Sequence, residues 1–162
     1  MRRLSLITLA LSLATIVGCG SSSSSTTTAS ESHTESSGSQ TAEAAPRFAM
    51  VTVDQVATRV ESHDAHLAVF DANSRETFDE HHVPGAHWVD YHTLTASELP
   101  ADHATSLVFY CANEQCSASH HAADAAVDLG FTDVSVMGGG IQGWIAAGKP
   151  VEAGAAPATP PS

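Results

Sequence analysis

Two cysteines five residues apart, Cys111 and Cys116, are the side chains in this chain best placed to do chemistry. Cys111 ends a short apolar run, Leu107 to Tyr110, whose β-branched and aromatic residues read as a buried strand. A polar stretch from Ala112 to Ser119 follows and holds Cys116. Beyond it Ala122, Ala123, Ala126 and Leu129 recur at spacings of three and four, the pattern of one apolar helix face. Ser117 or Ser119 is suited to begin that helix, and Gly130 to close it. A thiol between a strand end and a helix start lies beside backbone N–H groups and a helix N-terminus, both of which favour an anion. The thiolate is the nucleophilic form of cysteine, so the chemistry on offer is nucleophilic sulfur chemistry. A lone cysteine at a strand end is more often a packed structural thiol. Two thiols on one loop also permit a short disulfide, which Cα spacing and side-chain direction decide.

The elements that must position this loop follow from the rest of the pattern. Asp54 is suited to cap a helix through Val56 and Val60, with Gln55 and Glu61 on its polar side. Leu67 to Phe70 is a second buried-strand candidate, ended by Asp71, Asn73 and Ser74. Arg75 to Glu80 reads as a short helix carrying Phe78, and Pro84-Gly85 as a turn. Trp88-Val89 reads as a short strand before a loop through Leu94 and Leu99. Val134 to Met137 is a last strand. Gly138, Gly139 and Gly140 then turn the chain into a helix carrying Ile141, Trp144 and Ile145, which Gly148 and Pro150 stop. Strands alternating with helices of this length imply an α/β domain with a mostly parallel central sheet flanked by helices.

The ends differ in composition. Arg2 and Arg3 precede an apolar stretch, Leu4 to Val17, of signal-peptide length and too short to span a bilayer comfortably. It ends Ile16-Val17-Gly18-Cys19, which resembles a bacterial lipobox. That resemblance implies a lipoprotein signal peptide over residues 1–18 and lipidation of Cys19, hence a membrane attachment through acyl chains. Gly20, where an Asp would retain the protein, implies the outer membrane facing the periplasm in a diderm bacterium. Residues 19–46 are Ser-, Thr- and Gly-rich and read as a disordered tether, and the Ala- and Pro-rich residues 153–162 as a disordered tail. Residues 47–152 remain as one domain. The net charge is −12, and loss of Arg2 and Arg3 with a leader makes the remainder more acidic still. Nothing resembles a basic footprint for nucleic acid, and an acidic surface repels anionic substrates at long range.

Ten histidines, including His81-His82 and His120-His121, raise the question of a metal. Their spacing fits no structural zinc pattern, and adjacent histidines on a helix point in different directions. No metal and no other cofactor is expected. His120 and Asp124, four apart, are expected to pair on the surface, and Trp88 and Trp144 to be core residues.

Three motifs in order carry a family resemblance. The first runs from Asp71 to Ala86, with Phe78, His82, Pro84 and Gly85 in register with a strand-ending D-x-R, an aromatic, and G-H-I-P-G-A. The second is Tyr110-Cys111 at a strand end. The third is Gly139-Gly140-Ile141 followed by Trp144, Gly148 and Pro150. Together they resemble the rhodanese homology domain over essentially all of residues 50–151. The resemblance implies a single rhodanese-like domain and sulfur transfer: a cysteine, here Cys111, takes sulfur from a sulfane-sulfur donor as a persulfide and passes it to a thiol acceptor. It also implies that the loop Ala112, Asn113, Glu114, Gln115, Cys116, Ser117, Ala118 and Ser119 wraps the sulfur with its N–H groups, supported by Asp71, Asn73 and His82.

The departures lie in that loop. The family's C-x-x-G-x-R-S has no Gly and no Arg counterpart here. Counted back from Gly130 and Ala122-Ala123, the helix serine matches Ser119 better than Ser117, so the loop is roughly two residues longer than usual. Asn73 stands where D-x-R has its Arg, and Glu114 adds a negative charge that tends to raise a cysteine pKa. Poor thiosulfate turnover is expected. Cys116 is either an incidental loop thiol or a resolving thiol that attacks an oxidised Cys111 and leaves a disulfide. A catalytically silent binding module is the alternative to an enzyme. A phosphatase-type loop, whose cradle ends in Arg, finds none between Cys111 and Ser119.

Overall fold

A computed structural model describes residues 46–154. The leader, Cys19, nearly all of the tether and most of the tail named above lie outside the described residues. The elements are β1 (Ala49–Val51), α1 (Val53–Glu61), β2 (Leu67–Asp71), α2 (Arg75–Glu80), β3 (His87–Trp88), a 3₁₀ turn at Ala96–Glu98, β4 (Ser106–Tyr110), α3 (Ala118–Asp128), β5 (Val134–Met137) and α4 (Gly140–Ala146). The five strands form one sheet in the order β1-β5-β4-β2-β3, and every pairing is parallel. A parallel sheet needs helical crossovers, and those helices bury both faces. All five residues of β4 are accordingly buried.

Alternation along the strands divides the core into two layers. Ala68, Phe70, Leu107, Phe109, Val134 and Val136 face one side, where α3 packs through Ala122, Ala123 and Ala126. Small alanines let that helix approach the sheet closely. Val69, Val108, Tyr110 and Met137 face the other side, against Val56, Phe78, Ile141 and Trp144 of α1, α2 and α4. Cys111 belongs to the α3 layer. Trp144 is buried in its core, and its indole N–H donates to the Pro150 carbonyl at 2.7 Å. Trp88 stays partly exposed and donates to the Asn73 carbonyl at 2.9 Å, so it walls a surface rather than filling the core.

Two further expectations need correction, and one strand was not expected. The cap of α1 is Thr52: its hydroxyl accepts the Gln55 N–H, and the Gln55 side chain returns to the Thr52 N–H at 2.8 Å. Asp54 lies one position inside the helix, in its first turn. Residues Ala49–Val51 form an edge strand that no periodicity announced. The third short strand is His87–Trp88, one residue earlier than expected.

Thr52→Ala should cost about 1 kcal/mol by removing the capping box. Asp54→Ala, which removes an exposed charge near the helix start and its surface ion pair with Lys149, should cost clearly less. Urea midpoints of the two variants check the order, and equal losses would contradict it.

Candidate functional site

The cysteine loop hangs between two helix starts. At one end the Cys111 and Ala112 carbonyls accept the N–H groups of Ile141 and Gln142, in the first turn of α4, at 2.8 and 3.0 Å. Gly140 allows that approach. It has a φ of +56°, and a Cβ there would meet the Cys111 carbonyl oxygen and the backbone of Ala112 well inside contact distance. At the other end α3 begins at Ala118, after Ser117. Ser117 occupies the cap position but makes no side-chain cap bond. The hydroxyl of Ser119, one position into the helix, lies 3.3 Å from the Cys111 sulfur. The serine selected by register is therefore the one at the sulfur.

Cys111 and Cys116 are joined as a disulfide, with their Cα atoms 6.3 Å apart, within the range such bonds span. A disulfide sulfur carries no proton, so the Ser119 hydroxyl is the donor in its contact with Cys111. Cys111 is 1% exposed. Cys116 is only partly buried and lines a 420 Å³ cleft walled by Asn73, Trp88 and Tyr91, with Ala118 at the helix start. Among the described residues the one charged side chain lining this cleft is that of Asp90.

The N–H cradle implied by the resemblance is incomplete. Asn113 takes the Gln115 N–H on its side-chain oxygen at 3.0 Å and the Cys116 N–H on its carbonyl at 3.1 Å. Those two amides are spent inside the loop and do not serve a sulfur anion. The Asn113 carboxamide also donates to the Gln142 side chain at 3.2 Å, pinning the loop tip to α4. Glu114 is exposed and lines a separate depression with Gln142 and Gly143, away from the Cys116 cleft.

The supporting residues divide. Asp71, at the end of β2, is buried and pairs in register with Tyr110. One of its oxygens accepts the Asn73 N–H at 2.7 Å, closing a tight turn. Burial holds its carboxyl above the usual value of 3.8, against the opposing pull of the Tyr110 hydroxyl and the Asn73 groups facing it. The other oxygen, Oδ2, and Asn73 Nδ2 are sealed from solvent yet stop short of a full hydrogen bond. The Tyr110 hydroxyl accepts the Val83 N–H at 3.0 Å, and its own pKa is pushed well above 10.0 by burial and then by the Asp71 charge. His82 is not at the sulfur. It stacks on Phe78 in the opposite layer, gives its Nδ1 proton to the Phe78 carbonyl at 2.8 Å, and exchanges backbone bonds with Glu152. It holds the returning chain, not the cysteine.

The two histidines of the second pair serve separate contacts. His120 packs edge-on against Phe48, and His121 stacks near Tyr91. The expected His120–Asp124 pair does not form; Asp124 pairs with Arg47 at 3.4 Å instead. Among the described residues no three His, Cys, Asp or Glu side chains converge as metal ligands would, and no helix is long and apolar enough to cross a membrane.

A family model for the rhodanese-like domain matches residues 52–147. Among solved structures, a Bacillus halodurans protein aligns with a TM-score of 0.61 and 20% identity, covering 66% of this chain and 77% of that one. The thiosulfate sulfurtransferase of Pseudomonas aeruginosa aligns with a TM-score of 0.55 and 23% identity over 67% of this chain and 20% of its own length. A Rhodopseudomonas palustris protein of unknown function, a possible tyrosine phosphatase, aligns with a TM-score of 0.55 and 24% identity over 65% of this chain and 85% of that one. At these identities the likeness shows fold, and function rests on the site. No curated protein matches the chain.

Two outcomes test this geometry. Gly140→Ala should destabilise by more than the about 1–2 kcal/mol that a left-handed residue costs on its own, because the side chain also displaces the Cys111 carbonyl; a denaturant titration reads this. Asp71 has a folded pKa raised above its unfolded one, so the stability it contributes is full below pH 3.8 and is lost as pH rises through the raised folded value. Asp71→Asn removes that loss. The stability of wild type minus that of the variant should therefore fall with rising pH across this window and then level off, and a difference that rises with pH would contradict the assignment.

Proposed function

The chain belongs to the rhodanese-like domain family, and from that premise we propose that it handles sulfane sulfur through a persulfide on Cys111 that Cys116 resolves. The observation that carries this reading is the Cys111–Cys116 bridge on the loop where the family places its cysteine. In the first step the Cys111 thiolate attacks the outer sulfur of a donor R–S–SH, R–S⁻ leaves, and Cys111 holds the transferred sulfur. In the second the Cys116 thiolate attacks the Cys111 sulfur. The bond to the outer sulfur breaks, hydrosulfide leaves with the electron pair, and the Cys111–Cys116 disulfide remains. Where a thiol acceptor arrives first, it takes the outer sulfur instead and the cysteines stay reduced.

The surroundings of the sulfur support a weak nucleophile with a narrow donor range. Ser119 and the start of α3 favour the thiolate. Among the described residues no guanidinium or ammonium lines the cleft, and Asp90 does. Dianionic thiosulfate is therefore a poor donor, and organic persulfides are better ones. The Arg-ended cradle of a phosphatase is likewise missing between Cys111 and Ser119. The leader and Cys19 extend the proposal to place: a lipid-anchored protein of the bacterial envelope, on the outer membrane facing the periplasm in a diderm cell.

The depth of Cys111, 1% exposed beneath α3, favours a second reading, in which the disulfide is permanent and the domain is a silent binding module. Intact mass after treatment with an organic persulfide separates the two. Cys116→Ser should accumulate the mass of one added sulfur atom, Cys111→Ser should not, and reduced wild type should lose two hydrogens while releasing sulfide. No adduct in any variant, with both thiols open to alkylation, would leave the module.

A further inference from the structure

The disulfide is asymmetric, and the asymmetry assigns a direction to its reopening. Cys111 is 1% exposed, in the layer beneath α3, with the Ser119 hydroxyl 3.3 Å from its sulfur. Cys116 is partly exposed and lines the 420 Å³ cleft between Trp88, Tyr91 and Asn73. An incoming thiolate must reach the sulfur it attacks, and the better leaving sulfur is the one whose anion is better held. Both criteria select the same arrangement.

We infer that Cys116 is the sulfur through which an external thiol re-reduces the protein, with Cys111 as the leaving group. This rests on the two-cysteine reading above and deepens it by naming the reductant class and its point of entry. A thiolate R–S⁻ entering by the cleft attacks the Cys116 sulfur. The Cys111–Cys116 bond breaks, its electron pair leaves on Cys111, and the new bond is a mixed disulfide between Cys116 and R. The Cys111 thiolate is held by the Ser119 hydroxyl and the start of α3. A second R–S⁻ attacks the sulfur of R in the mixed disulfide, R–S–S–R departs, and Cys116 leaves as a thiolate. Two thiols are oxidised to one disulfide, and two protons restore the dithiol. Donor sulfur meets Cys111 in the reduced protein, whereas reducing equivalents meet the bridged form, in which Cys111 is covered and Cys116 is partly exposed.

The test uses the full chain, oxidised, and no sulfur donor. It is mixed with glutathione in one arm and with reduced thioredoxin, a protein dithiol, in the other. Samples are quenched in acid at successive short times and unfolded, free thiols are alkylated, and the masses of the fragments carrying Cys111 and Cys116, separated from any carrying Cys19, locate the adduct. Extrapolated to zero time, the reductant should sit on Cys116 and the alkyl group on Cys111 in the large majority of molecules. Ser119→Ala should slow the opening several-fold while leaving the adduct on Cys116. A reductant adduct on Cys111, an even split, or a bridge that neither thiol opens would each overturn the inference. Reaction in both arms marks a general thiol site, and reaction in one arm alone identifies the source it accepts. Because no donor is present, failure here leaves the persulfide on Cys111 to stand or fall on the mass experiment, and failure there leaves the direction of reopening intact.

Discussion

The site depends on a backbone contact: two consecutive carbonyls, of Cys111 and Ala112, set on two consecutive N–H groups at the start of α4. A loop leaving a strand has unpaired carbonyls that must find donors, and the first turn of a helix has N–H groups without acceptors. Each satisfies the other. The contact works only because Gly140 presents no side chain and accepts a left-handed conformation between them. It has two consequences. The cysteine end of the loop is fixed to the sheet and to α4 together, so the sulfur of Cys111 is directed at α3. The first donors of α4 are also consumed, so that helix start is not an anion site, and the first turn of α3 remains as the one backed by Ser119.

Much of this was legible from residue types, because a parallel sheet covered on both faces writes its strands as apolar runs. Leu67 to Phe70, Leu107 to Tyr110 and Val134 to Met137 needed no tertiary information, and Arg75–Glu80 was bracketed by Ser74 and the turn at Pro84-Gly85. What escaped was short or long-range. Ala49–Val51 is too brief to show a period and is a strand only because β5 lies beside it. Asp54 and Thr52 both have capping side chains; the extended backbone at Thr52 and the returning Gln55 chose between them. Asp124 found Arg47, 77 residues away, rather than its helix neighbour.

At the site, composition told more than pattern. The missing loop Arg and the second thiol were visible as letters, and register aligned the helix serine with Ser119, whose hydroxyl lies 3.3 Å from the Cys111 sulfur. The fate of the amides was not visible. Asn113 can hydrogen-bond its own backbone, and by doing so it withdraws the Gln115 and Cys116 N–H groups from any cradle. His82 matched a motif position and yet serves the fold: its Nδ1 proton is committed to the Phe78 carbonyl, on the side of the sheet away from Cys111. A motif match carried the architecture across and not the role.

The loss of loop cations and the gain of a loop thiol belong together on energetic grounds. A helix start contributes about 0.3–1 kcal/mol to a nearby anion, and a hydrogen bond from a neutral hydroxyl roughly 0.5–1.5 kcal/mol. Their sum is about one pKa unit or a little more for a cysteine, at 1.36 kcal/mol per unit. A persulfide anion resting in such a pocket is held weakly beside what a guanidinium on the same loop would supply. In the proposed cycle a neighbouring thiol ends that exposure differently, by replacing the anion with a neutral disulfide and expelling the charge as hydrosulfide. Closure demands little of the domain, because both cysteines lie on one loop with Cα atoms 6.3 Å apart, and Cys111 is already anchored by α4. In the proposed cycle the motion falls to Cys116, the partly exposed member of the pair. Asn113 ties the same loop to α4 through Gln142, so any displacement of Cys116 in that cycle is confined to the residues between Asn113 and the start of α3.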